Sequence, residues 1–392
     1  MKLLLSLGTT LLLVLATFAI AQNPSARSPM RDFDTPYYKL STNVDVATAR
    51  EADLRMTRMF EEYRRRLSDF SVAPRLKLPF YLFADEPEYY AAGGMPGSAG
   101  VFIRSSRGAM LMALARPGRE ASTWHTVQHE GFHQFAAMTI NMRLPVWLNE
   151  GLAEYFGSGI FTGDNFIVGV IPPRRLEEVQ EQIKKRKWKN FTAMTNMSHE
   201  AWNNQMDMDN SNYDQAWAMV HFLIHGEDGK YSPALVKYMM AMHKGATPQN
   251  AWTSTFGNPN DIALFQEKCQ KWWADLPENP TRETYFKALV STTTSMLARH
   301  ELQRRKIETI EELFAAPALT DVKLSRDLWL PAKLIDDIER PAKRFEWKLE
   351  RPRGKNPQLT CTVPQIGTIT GTFTLAGNRV GSVSVTVTKE SE

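Results

Sequence analysis

The sequence predicts an α+β protein. It has a small mixed sheet with a helix, then a mostly helical unit, then a C-terminal extension ending in a β-hairpin. Three observations carry this. Between residues 76 and 114, apolar residues alternate or run in short blocks bounded by Gly, Pro and Ser, as strands do. From residue 120 onward the apolar spacing becomes helical, in segments of eleven to nineteen residues. Between Thr368 and Thr388 two alternating runs flank Ala376-Gly377-Asn378-Arg379, the pattern of a hairpin.

The 392 residues exceed one compact core and suit two or three structural units. Residues 1–21 read as a leader: Lys2, an apolar run from Leu3 to Ala16, and a small-x-small site at Ala19-Ile20-Ala21. The run is short for a membrane span, and no second long apolar run follows. The expectation is export, to a periplasm or beyond the cell, with no stable span after cleavage. Mature protein should begin at Gln22 or within a few residues of it. Met1 retained in a membrane fraction, by N-terminal sequencing, would mean an anchor instead.

Lys and Arg total 47 against 43 Asp and Glu, too small an excess for a basic nucleic-acid surface. Two cysteines exclude a disulfide-rich scaffold and a four-cysteine zinc site. In an oxidising compartment Cys269 and Cys361 could pair.

The remaining chain divides into an N-terminal α/β portion (22–117), a helical portion (118–300) and the C-terminal extension (301–392). Residues 22–43 are rich in Pro, Ser and Asn and read as a loose lead-in. Residues 46–67 predict a helix from Ala47, Leu54, Phe60, Tyr63 and Leu67. Leu76 to Leu82 alternate as a strand, and Pro79 suggests a sheet edge. A short helix starts at Glu86-Pro87, and strands follow at 100–103 and 110–114. Helices are expected at 121–139, 146–156, 172–189, 213–225, 231–243, 258–275 and 281–299. The run Lys184-Lys185-Arg186-Lys187 ends one of them and reads as a solvated face. A more polar tail begins at 301.

The chemistry centres on His129-Glu130-Gly131-Phe132-His133. In a helix, positions 129 and 133 are one turn apart on one face, so two imidazoles can hold one zinc ion with Glu130 beside it as base. Gly131 costs such a helix up to about 1 kcal/mol relative to alanine, so helix building alone does not explain it. The second helix carries Trp147-Leu148-Asn149-Glu150-Gly151-Leu152-Ala153-Glu154. An antiparallel return would bring Glu150 to the two histidines and leave a fourth position for water. Glu154, four residues on, could orient a ligand histidine through its far nitrogen. The competing reading makes both acids a wet helix face. His125, one turn before His129, could support the site from behind.

These two segments resemble the gluzincin branch of zinc metallopeptidases, and the Trp-Leu-Asn-Glu-Gly stretch is similar to the zinc-binding segment of the aminopeptidase N family. The overall pattern looks closest to an uncharacterised, exported, planctomycete-type family of peptidase-like domains. The resemblance covers about residues 75–245. It implies a zincin-like catalytic unit with Zn²⁺ held by His129, His133 and Glu150, Glu130 as general base, and Glu154 behind the ligands. It also implies that Tyr213, opening an apolar helix, donates to the oxyanion; the residues alone equally allow a tyrosine capping a core helix. His221 and His225, further along that helix, read as packing residues. The chain has no GAMEN-type segment for a free amino terminus, and the sixteen residues between His133 and Glu150 are fewer than in aminopeptidase N.

The function expected is zinc-dependent hydrolysis of a peptide or protein substrate, with the strand at 109–115 lining the cleft. The alternative is a non-catalytic exported binding or structural protein that keeps a zinc site.

Overall fold

The first layer is a sheet of five strands in a computed structural model that describes residues 29–105, 108–206 and 211–389. The expected leader lies outside the described residues. In chain order the layer runs β1 (Arg31–Asp34), β2 (Tyr38–Thr42), α1 (Val46–Arg66), β3 (Leu78–Phe83), α2 (Glu86–Ala91), β4 (Gly100–Ser105) and β5 (Gly108–Leu114). The strand order is β1-β2-β3-β5-β4. β2, β3 and β5 are parallel, while β1 and β4 run antiparallel at the two edges. The α+β class and the mixed sheet expected from the sequence are those of the structure.

Two differences have physical causes. The segment expected to be a loose lead-in holds β1 and β2; Tyr38, Leu40 and Thr42 are buried on one face, a period-2 pattern too short to stand out among polar neighbours. Pro79 lies inside the sheet, not at an edge. Its ladder with β5 starts only at Phe80. The missing N–H is therefore not needed, and Gln134 Nε2 caps the gap by donating to the carbonyls of Pro79 (2.8 Å) and Ala109 (2.9 Å).

Helices follow: α3 (Glu120–Thr139) and α4 (Val146–Gly157), the small hairpin β6 (Ile160–Phe161) and β7 (Phe166–Ile167), then α5 (Pro173–Lys184), α6 (Phe191–Thr195), α7 (His199–Met206), α8 (Ser211–Gly229), α9 (Ser232–His243), α10 (Pro248–Phe256), α11 (Pro259–Asp275) and α12 (Arg282–Leu302). α5 stops before the basic run is complete, and Arg186 sits in the left-handed region at φ 53°. α6, α7 and α10 were not legible as helices, being five to nine residues long. Among the described residues no helix is long and apolar enough to cross a membrane.

α1 begins at Asp45, whose side chain accepts from Thr48 N–H at 2.9 Å. Its inner face, with Met56, Met59, Phe60 and Tyr63, packs against α3. This contact accounts for Gly131: a Cβ there would lie 2.6 Å from Met56 Cε. Gly151 on α4 is tighter, since a Cβ would lie 2.5 Å from the Ala216 carbonyl oxygen and 2.7 Å from Val220 Cγ2 on α8. A backbone oxygen cannot move aside as a methionine tip can. Gly151→Ala should therefore destabilise the fold by about 1–3 kcal/mol despite alanine's better helix propensity, and Gly131→Ala by less. Urea unfolding of both variants checks the order.

The extension adds α13 (Ile310–Ala315), α14 (Ala332–Ala342) and a second antiparallel sheet of β8 (Glu346–Glu350), β9 (Gln358–Val363), β10 (Gly367–Ala376) and β11 (Arg379–Thr388). The predicted hairpin is β10–β11, with register Thr368↔Thr388. This sheet covers α12, joining Val290 to Cys361, Val363 and Ile369 in one apolar cluster. α12 is buried on all sides from Ala288 to His300. The hydroxyls of Thr292, Thr293 and Thr294 therefore turn back on the carbonyls four residues earlier. The extension also returns to α1: Arg326 pairs with Asp53 at 2.7 Å, and Arg50 donates to the Leu324 carbonyl. Cys269 and Cys361 are both buried and free, one on α11 and one on β9, so the pairing considered from the sequence does not occur.

Candidate metal centre

α3 and α4 meet where the sequence places its two motifs. The short link 140–145, ended by Pro145, turns the chain so that α4 returns against α3. Two of the three histidines of α3, His129 and His133, and the first acid of α4, Glu150, then converge. His129 Nε2 lies 3.1 Å from His133 Nε2. Glu150 Oε2 lies 3.5 Å from the former and 3.3 Å from the latter. Four donors about 2.0–2.1 Å from a tetrahedral zinc are about 3.3 Å apart, so these three atoms form one face of such a tetrahedron.

The far sides of the rings carry the same message. His129 Nδ1 is 3.2 Å from Glu154 Oε1 and donates its proton there. His133 Nδ1 is 2.9 Å from the side-chain amide nitrogen of Asn149, and an end-for-end turn of that amide would place its oxygen there instead. With the Nδ1 atoms protonated, the two Nε2 lone pairs would face each other and Glu150. Three such atoms at this spacing could hold one metal ion between them.

The electrostatics agree. Burial alone would raise the Glu150 carboxyl, but the His133 and His129 imidazoles outweigh it and bring it down to about 2. Burial opposes charge on His129, yet Glu150 and Glu154 raise its pKa well above the usual value. The pocket therefore favours positive charge between the imidazoles, as protons or as a metal ion that displaces them.

A second group, His125, His129 and Glu154, also lies within metal-binding reach. Arg175 argues against it. This α5 residue places Nη1 2.5 Å from Glu154 Oε2 and Nε 3.3 Å from Asp214, and its guanidinium stacks 4.4 Å from the Trp217 ring. Glu154 thus already has a cation on one oxygen and His129 on the other, and His125 Nε2 approaches the same oxygen as Arg175 at 3.5 Å. Burial pushes the Glu154 carboxyl up, but Arg175, His125 and His129 hold it well below the usual range. Its Oε1 lies against His129 Nδ1, on the side of the ring away from Glu150.

Glu130 lies beside the donors and outside their triangle. Its Oε2 accepts the Phe102 N–H at 2.9 Å. Leu114 N–H bonds the Ala99 carbonyl, so the alternate residues Gly100, Phe102 and Arg104 turn their backbone groups away from β5. The cleft is thus lined by the free edge β4. The strand expected there, β5, is interior to the sheet, because the hairpin returns it between β3 and β4.

Tyr213 lines the same cleft, its ring 6.3 Å from that of His129 and packed edge-on against Trp202 at 5.2 Å. Burial and the Glu150 carboxylate push its hydroxyl above the usual phenol range, which keeps the proton on it. The sequence reading missed Arg175, Asn149 and the Phe102 N–H. Asn149 is the residue before Glu150 in the quoted motif; the other two carry no local signal.

His221 and His225 are packing residues. His221 Nε2 bonds the Gly169 carbonyl at 3.1 Å, and His225 Nε2 meets the Tyr155 hydroxyl at 2.9 Å. Burial, then the neighbouring His225, lowers His221 to about 3. The unfolded imidazole protonates near 6.5, so below that pH the unfolded chain binds more protons and stability falls. By pH 5 the loss is about 2 kcal/mol. Thermal melts at pH 7 and 5 should show a smaller drop for His221→Gln, whose amide N–H can still reach Gly169.

Residues 123–242 match a family model described as a protein of unknown function (DUF1570). That stretch runs from α3 to α9 and holds all six site residues expected from the sequence. No curated protein matches the chain significantly.

Proposed function

We propose that this chain is a zinc-dependent peptide hydrolase of the gluzincin type. The carrying observation is the triangle of His129 Nε2, His133 Nε2 and Glu150 Oε2, with Glu130 held apart from it at a free strand edge. Zinc, when bound, supplies Lewis acidity to the scissile carbonyl and to the attacking water. His129, His133 and Glu150 would hold it. Glu130 takes the water's proton and passes it to the leaving amine. The Phe102 N–H holds one oxygen of Glu130 and leaves the other for that transfer. Tyr213, protonated and beside the donors, donates to the oxyanion. Glu154 and Arg175 fix the tautomer and tilt of His129. The outward groups of Gly100 and Arg104 and the Phe102 carbonyl are positioned to pair with an extended substrate. We extend the proposal to export of the mature protein through its leader.

The test is a peptide-library digest by the zinc-loaded protein, with and without a chelator. Cleavage that the chelator abolishes supports the proposal, and the cut sites separate exopeptidase from endopeptidase action. Zinc bound at about one per chain without cleavage of any library member favours the non-catalytic alternative.

A further inference from the structure

We infer that the large cavity beside the metal centre receives an apolar stretch of the substrate, so that the enzyme selects bulky apolar residues next to the bond it cuts. This rests on the peptide-hydrolase proposal and adds a substrate class to it. The cavity measures about 760 Å³ and lies between α3, α12 and α14. Its walls include Trp124, Phe161, Phe286, Leu289, Leu334 and Ile338. The volume lies within the roughly 300–1,000 Å³ of sites for drug-sized ligands, more than one side chain requires.

Continuity with the metal cleft identifies the occupant. His125, Ser158 and Pro172 line both spaces. His125 lies four residues before His129, about 6 Å along α3. An extended chain advances about 3.3 Å per residue, so a substrate whose scissile bond lies at the donors reaches the cavity within about two residues.

Three of the charged side chains on the walls already have partners. Arg55 binds Glu51 at 2.6 Å, and its guanidinium lies 5.0 Å from the Trp124 ring and 4.8 Å from that of Phe161. Lys333 pairs with Asp337 on the same helix. The apolar walls favour an apolar ligand group, which gains by leaving water. Leu334 and Ile338 belong to α14, so the C-terminal extension supplies one wall.

The probes are two blocked peptide amides, acetyl-Ala-Ala-Phe-Leu-Ala-Ala-amide and its all-alanine counterpart. Binding is measured by calorimetry on chelator-treated full-length protein, and cleavage on the zinc-loaded form. The Phe-Leu peptide should bind at least tenfold tighter than the alanine peptide. Ala121→Trp, at an exposed position on the cavity wall two turns before His129, should remove that difference while zinc content and melting temperature stay unchanged. Tyr285→Ala, at a wall position 40% exposed, should reduce it at least threefold. Equal binding of both peptides, or a preference that neither variant alters, overturns the inference. Preferential binding without zinc-dependent cleavage removes the hydrolase proposal and leaves the cavity as a peptide site. Zinc-dependent cleavage without the preference does the reverse.

Discussion

Glu150→Ala should leave the protein folded and nearly free of zinc, with turnover lost along with the metal. The substitution removes the carboxylate of the donor triangle and leaves two imidazoles 3.1 Å apart. Glu130→Gln should behave in the opposite way. Its amide oxygen can still accept the Phe102 N–H, and no donor of the triangle changes. Zinc should remain at about one per chain while turnover falls by roughly 10²–10⁴, the usual worth of a positioned general base. Glu154→Gln should lie between, with zinc affinity down by about 10–100-fold. Elemental analysis after dialysis, paired with turnover on the best library peptide, separates the three. Unchanged zinc in Glu150→Ala would mean a different third ligand. Full turnover in Glu130→Gln would reject the proposed mechanism even with metal present.

Asp164→Ala should cost about 3–5 kcal/mol, the usual penalty for stranding one partner of a buried ion pair. Asp164, in the β6–β7 turn, binds Arg299 of α12 through both oxygens, at 2.8 and 3.1 Å, and Ser295 joins at 2.5 Å. The two charged side chains are 5% and 3% exposed, so water cannot replace either. The loss is large against a whole-domain stability of about 5–15 kcal/mol. Urea unfolding at pH 7 measures it. Asp164→Leu combined with Arg299→Met should recover much of the loss, because no charge is then left unpaired. Burial raises the Asp164 carboxyl, but Arg299 outweighs it and lowers the net value. The pair's contribution is therefore present above the unfolded value, about 3.9, and is lost as the pH falls through the lower folded one. A wild-type midpoint equal to that of Asp164→Ala at pH 7 would remove the pair from the stability argument.

Different physical ranges set what could be read without the fold. α3 and α4 were legible to within about two residues at their ends, the ordinary uncertainty of helix limits. Their apolar periods are long, and Pro145 marks the break between them. The shared face of His129 and His133 follows from 3.6 residues per turn alone. β1, β2 and the short helices α6, α7 and α10 were not legible. Each is too short to impose a period; among the described residues β1 pairs only with β2, while β2 and the short helices pack against neighbours far along the chain. Pro79 pointed to an edge because proline lacks a donor. Which strand lies beside it depends on a register that begins one residue later.

The sequence by itself therefore determined the helix that aligns two imidazoles, the acids spaced to meet them, and the α+β class. These rest on backbone periodicity, which acts over a few residues. The tertiary structure decided what surrounds that chemistry. Arg175 comes from 21 residues beyond Glu154 to hold it, and Asp164 meets Arg299 across 135 residues. β4 forms the free edge because β5 returns inside the sheet, and α14 walls a cavity against α3. Charges, edges and cavities of this kind exist only after distant segments have been desolvated together. Their partners are chosen by packing, and no spacing along the chain records that choice.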